Sequence, residues 1–354
     1  MSSQKDIRYF LGSNTKKGFI PLYEQLRKPT SGKRMYILKG GPGCGKSSLM
    51  KRLGDALEAQ GHRLEYFPCT SDPSSLDALL DYDAQVSIVD GTAPHTMDPK
   101  YPGAYDVIIN LGDVWDQEKL RKNKPKIMEL TDIISGYHAM AGYCITAATT
   151  LLETNRSISN LYVNRDTIQD AINLLTNELS HGKKGQEHKR LLSAVSVGSV
   201  VFFDMTLKAL CPKLFVIPDD WGAAAGILLE GLHEYALSAK LEVYTCYCSI
   251  ESPDKIDHLL FPSLGIGITT SNSFHATEST EGTSFDNLML PVPEADAAIL
   301  AGNLETAGNL INSACCNVEK AKKLHDELEA FYISSMDFTK VDIIYEKLLR
   351  EILE

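Results

Sequence analysis

Apolar residues along this chain fall into short runs separated by longer amphipathic stretches. Residues 35–39, 64–68, 86–90 and 106–111 are apolar runs of strand length bounded by Gly, Pro or Asp. Ser47 to Gln60 and the stretches after Trp115 carry their apolar residues at helical spacing instead. Strands alternating with helices predict an α/β fold with mainly parallel sheets, each covered by helices on both faces.

The pattern occurs twice. Residues 34–53 (RMYILKGGPGCGKSSLMKRL) and 213–232 (KLFVIPDDWGAAAGILLEGL) share the order strand, small-residue loop, helix, at an offset of about 179 positions, and such self-similarity marks a repeated unit. Further on, Cys69 lies over Cys248 and, after one inserted residue, Asp77 over Asp257; His95 meets His275 and Asp106 meets Asp286. The segments 8–12 and 190–194 add a candidate strand to each sheet. A helical appendage follows each half, at 115–180 and 294–354, and residues 182–186 (GKKGQ) read as the linker. The expected domains are therefore 1–181 and 187–354, packed together as a pseudo-dimer.

Composition changes this picture little. The chain has 354 residues, 44% of them hydrophobic and 23% charged, as expected for a globular protein rather than a disordered one. Its net charge of −11 argues against nucleic acid as a partner, and the basic runs 119–126 and 183–190 carry no interleaved aromatics. The N-terminus lacks the pattern of a signal peptide, and no apolar run approaches the ~18 residues of a membrane span, so the expectation is a cytoplasmic protein with no membrane partner. Eight cysteines include no C-x-x-C pair and read as reduced, mostly buried thiols.

The chemistry concentrates in Gly40-Gly41-Pro42-Gly43-Cys44-Gly45-Lys46-Ser47, which satisfies G-x-x-x-x-G-K-[ST] between a strand and a helix. In that setting backbone N–H groups converge on phosphate oxygens, and the glycines let the backbone approach closely. Lys46 would reach the β- and γ-phosphates, and the Ser47 hydroxyl would ligate Mg2+, with Ser48 beside it in the first helical turn. Asp90, ending the run VSIVD, is the candidate second metal carboxylate, acting through water. Cys44 reads as a tolerated loop residue, with a lowered thiol pKa as the alternative. ATP is the expected ligand, because a guanine-reading N-K-x-D is absent and Asn123-Lys124-Pro125-Lys126 lacks its Asp.

On these residues the chain resembles the P-loop NTPase superfamily, with a Walker A loop at 40–47 and a Walker B-like strand ending at Asp90. Its duplicated layout, with GTAPH and D-x-I-x-N-L segments after the loop, is similar to that of a little-characterised bacterial family of tandem P-loop ATPases. The resemblance implies two tandem three-layer α/β/α units of P-loop type. In many such ATPases a Glu directly follows the metal-binding Asp; here Gly91 does, which leaves Asp72 and His95 as candidate catalytic groups near the γ-phosphate. Each has a plainer reading, Asp72 as a turn or capping residue before Pro73 and His95 as a loop-packing histidine.

The second half has lost the site. Aligned without a gap in the loop, Gly40 and Gly41 become Asp219 and Asp220, Gly45 becomes Ala224, Lys46 becomes Ala225 and Ser47 becomes Gly226; after the one inserted residue, Asp90 becomes Thr270. It reads as a degenerate partner, structural or regulatory, with Arg156, Arg165, Arg190 and Arg350 as possible donors to the first site. The expected function is a slow or regulated Mg2+-dependent ATPase. The alternatives are a nucleotide or small-molecule kinase and a nucleotide-sensing module without turnover.

Overall fold

A computed structural model of the chain describes residues 7–93, 95–251, 255–278, 285 and 287–354. The fold is mixed α/β, with eight α-helices among the described residues. The chain divides into two compact units, one comprising Met1–Gly12, Pro21–Met140 and Cys316–Glu354, the other Ser13–Ile20 and Ala141–Cys315.

The first unit is built on a six-stranded sheet. After β1 (Ile7–Arg8) the chain forms the hairpin β2 (Gly12–Thr15) and β3 (Gly18–Pro21), which is not part of that sheet. β4 (Arg34–Lys39) then leads through the glycine loop into α1 (Lys46–Ala59), followed by β5 (Leu64–Cys69), β6 (Asp72–Asp81), β7 (Val86–Asp90) and β8 (Asp106–Asn110). The order is β1-β5-β6-β7-β4-β8. Met35 to Leu38 are all buried, as a continuous apolar run in a central parallel strand should be. β4 runs parallel to both β7 and β8, placing Leu38 beside Asp90.

β6 departs from the sequence expectation. Its first residues are the polar Asp72-Pro73-Ser74-Ser75, yet it is a strand, and it runs antiparallel to both β5 and β7. The ladder is irregular at Pro68 and Cys69, as a residue without an N–H requires. Leu76 to Leu80 are buried and anchor the strand.

The second unit repeats this layout. β9 (Glu187–Arg190), the hairpin β10 (Ser193–Val195) and β11 (Val200–Phe202), and α5 (Asp204–Leu210) precede β12 (Lys213–Pro218); α6 (Ala223–Ser238), β13 (Val243–Tyr247), β14 (Ile256–Phe261) and β15 (Ile266–Ser271) follow. Its sheet has the order β12-β15-β14-β13-β9, with β14 antiparallel to both neighbours. Strand for strand this matches β4-β7-β6-β5-β1. Asp286, expected opposite Asp106, lies outside the described residues.

The helical appendages are exchanged relative to the expected domains. α2 (Gln117–Lys122) and the start of α3 (Lys124–Ser159) belong to the first unit, whereas the rest of α3 and α4 (Arg165–Leu179) belong to the second. There Ile172 packs so tightly on α6 that a Cβ at Gly231 would lie 2.8 Å from its Cδ1. Conversely, the end of α7 (Glu294–Ile333) and all of α8 (Phe338–Leu353) return to the first unit. Leu348 and Ile352 are buried there with Leu49, Leu53 and Leu57 of α1. An amphipathic helix buries its apolar stripe against whichever sheet accepts it, and sequence periodicity does not name the partner.

Candidate functional site

Residues 40–45 connect the carboxyl end of β4 to α1. Gly45 is the N-cap of α1 at φ +89°, and Gly43 sits at φ +66°; both are left-handed conformations that cost other residues roughly 1–2 kcal/mol. A Cβ at Gly43 would also lie 2.9 Å from the Glu329 carbonyl oxygen. The loop therefore needs glycine at these positions for conformation and for space.

Two of the predicted residues, Lys46 and Asp90, meet at the ends of β4 and β7. Lys46 Nζ donates to the carbonyls of Gly40 and Gly41 at 2.9 and 2.8 Å and lies 3.5 Å from the Asp90 carboxylate. Asp90 in turn accepts from the N–H and hydroxyl of Thr92. The Ser47 hydroxyl accepts the N–H of Leu76 at 2.9 Å, and Ser48 is exposed on the first turn of α1. Ser47 and Asp90 thus offer a hydroxyl and a carboxylate, the all-oxygen donor set that suits Mg2+.

Cys44 corrects the reactive-thiol alternative. It is buried, and desolvation pushes its thiol pKa up despite the neighbouring Lys46. Asp72 is engaged with its own turn: its carboxylate accepts from the hydroxyls of Ser74 and Ser75 and lies 3.4 Å from Lys322. Burial acts to raise its pKa, but those hydrogen bonds and the lysine outweigh it and hold it below the usual range. His95 is buried 3.3 Å from the Asp77 carboxylate, which also accepts from the Tyr23 hydroxyl at 2.9 Å.

Sequence reading missed the residues that cover the loop. From the end of α7, Glu329 accepts the Gly43 N–H at 3.2 Å, and Tyr332 packs so closely that a Cβ on Gly41 would lie 2.8 Å from its ring. Trp115 meets Tyr332 edge-on at 5.6 Å. No local signal marks these positions, because they sit on a long helix nearly the whole chain away.

The equivalent loop of the second unit is two residues shorter, spanning 219–222. Its αL N-cap is Gly222 at φ +79°, in the place of Gly45. Ala223 and Ala224, rather than Ala225 and Gly226, therefore stand in the places of Lys46 and Ser47. Asp219 turns inward: its carboxylate accepts the N–H groups of Trp221, Gly222 and Ala225 at 3.0, 2.7 and 2.8 Å. A carboxylate of the chain itself thus occupies the anion position at the helix N-terminus. Asp220 is bound to Ser273, and Thr270 pairs with Ile217 as Asp90 pairs with Leu38.

Of the candidate arginines, Arg156 pairs with Glu251 at 2.8 Å, Arg165 donates to Asn160 and Arg190 is fully buried, all within the second unit; Arg350 is exposed on α8 of the first.

A family model described as Nephrocystin 3, N-terminal, matches residues 20–81, from the end of β3 through the glycine loop to the end of β6. No curated protein and no solved structure matches the chain. No helix among the described residues is long and apolar enough to cross a membrane.

Proposed function

We propose that residues 40–47 bind the phosphates of ATP with Mg2+, and that the protein is a slow or regulated ATPase built from two tandem P-loop-type units, the second of them degenerate. The observation that carries this reading is the approach of Lys46 to Asp90 at the carboxyl ends of two adjacent parallel strands, where open α/β sheets bind ligands, with Ser47 following Lys46 on α1. Lys46 would exchange the carbonyls of Gly40 and Gly41 for phosphate oxygens. Ser47 would hold Mg2+ directly and Asp90 through water, and the ion would supply charge neutralisation between phosphates.

The contact of Glu329 with the Gly43 N–H supports regulation. A phosphate seated in the loop would compete with that carboxylate, so any movement of the end of α7 would change affinity. In the second unit Asp219 already satisfies the N–H groups a phosphate would need, and neither lysine nor hydroxyl follows, which supports a structural or regulatory role.

The test is Mg2+-dependent ATP binding and phosphate release by the full chain beside Lys46→Ala. Charge-assisted hydrogen bonds are worth roughly 1.5–3 kcal/mol, so the variant should bind at least about tenfold more weakly. Equal binding by both proteins, or by neither, sinks the reading. Phosphate transfer that appears only with an added nucleoside or nucleotide acceptor would replace the ATPase with a kinase.

A further inference from the structure

Each unit carries a cysteine, an aspartate and a histidine at equivalent places. In the first unit these are Cys69 at the end of β5, Asp77 on β6 and His95 in the segment after β7; one ligand atom from each lies within 4.8 Å of the others. In the second they are Cys248, Asp257 and His275. Strand registers make the equivalence explicit: Phe67 pairs with Ala78 as Cys246 pairs with His258, and Ala78 pairs with Val89 as His258 pairs with Thr269.

The two clusters differ in their cation. In the second unit the chain supplies its own cation: Lys255, 8% exposed, places its ammonium 2.9 Å from Asp257 and 3.8 Å from Glu251, in the field of Cys248. The same register puts Ser75 in the place of Lys255 in the first unit. Among the described residues no lysine or arginine forms an ion pair with Asp77. Burial of a carboxylate and a thiolate without a compensating cation is costly.

We propose that Cys69, Asp77 and His95 form a binding site for a borderline divalent transition-metal ion of the zinc class, which supplies in the first unit the positive charge that Lys255 supplies in the second. A thiolate, imidazole and carboxylate set is a zinc set rather than a magnesium one. At usual zinc bond lengths a tetrahedral ion separates an imidazole nitrogen from a carboxylate oxygen by about 3.4 Å, and His95 Nε2 lies 3.3 Å from Asp77 Oδ2. The Tyr23 hydroxyl, donating to Asp77, is the outer hydrogen bond that orients a ligating carboxylate. Cys69 is half-buried, and a water molecule would complete a fourth position. Binding displaces the Cys69 thiol proton, and that of Asp77 where it is protonated, to solvent.

The experiment loads the full chain, stripped of metal, with Co2+, whose thiolate charge-transfer and ligand-field bands report sulfur ligation and tetrahedral geometry. One equivalent should produce both bands, and Zn2+ should abolish them. Cys69→Ser should lose the charge-transfer band, whereas Cys248→Ser should keep it; Lys46→Ala should also keep it, separating this site from the nucleotide loop. Absence of the bands in the unmodified protein overturns the proposal without any variant, and so does a Cys69→Ser protein that retains them.

Discussion

The Asp219 carboxylate fills the N-terminus of a helix with a group of the chain itself. It accepts the N–H groups of Trp221 in the loop, of the N-cap Gly222 and of Ala225 in the first turn of α6, and loss of such a cap costs about 0.5–2 kcal/mol. Asp219→Ala should lower the urea midpoint of the second unit accordingly while creating no nucleotide site, since Ala223 and Ala224 provide no charge or hydroxyl. ATP binding at this loop in the variant would show that Asp219 alone blocks it. The loss of Lys and Ser chemistry from the second loop is legible in the sequence. The inward turn of Asp219 is not, because an ungapped alignment hides the two-residue deletion that brings its carboxylate under α6.

At the scale of elements, the antiparallel strands β6 and β14 carry buried titratable groups, Asp77 and Asp81 on the one and Asp257 and His258 on the other. His258 on β14 is fully buried, its Nδ1 2.6 Å from the Thr269 hydroxyl. Burial, then His275, push its pKa down to about 3, with Asp257 opposing and Lys255 adding to the depression. His275 is lowered too, again mainly by burial. A histidine depressed in the folded state contributes stability above its unfolded pKa of about 6.5, and that stability is lost as pH falls toward the folded value. Stability of the second unit should therefore drop by about 1.4 kcal/mol per pH unit below 6.5 for each such histidine. Urea unfolding followed through Trp221 in a Trp115→Phe background checks this. A stability independent of pH between 7.5 and 5.5 would mean that these histidines titrate alike folded and unfolded. β6 itself escaped the sequence pattern because its first four residues are polar and because apolar spacing carries no information on strand direction.

For the whole molecule, the decisive feature is that each compact unit takes chain from both halves of the sequence. The core of the first unit includes Leu348, fully buried, and Ile352. A fragment ending at residue 181 carries the complete glycine loop but not these side chains, and losing one buried leucine already costs about 2–5 kcal/mol. Such a fragment should be largely unfolded or aggregated by circular dichroism and gel filtration. A monomeric fragment with the thermal midpoint of the full chain would show that 316–354 is dispensable to the first unit.

The sequence alone determined what is local: the glycine loop between strand and helix, the charge and hydroxyl at Lys46 and Ser47, the absence of both from the second loop, and an offset of about 179 positions between the halves. The loop features depend on residues close together in the chain, where backbone conformation and side-chain chemistry constrain one another directly, and the repeat is read by matching one such local pattern to another. Tertiary structure decided the rest: the exchange of helical appendages, Glu329 and Tyr332 over the loop, and the cluster of Cys69, Asp77 and His95 with its counterpart around Lys255. Apolar helix faces are interchangeable in sequence, and a hydrogen bond between residues 43 and 329 leaves no periodic trace. Only the packing that brings these groups together gives them their chemistry.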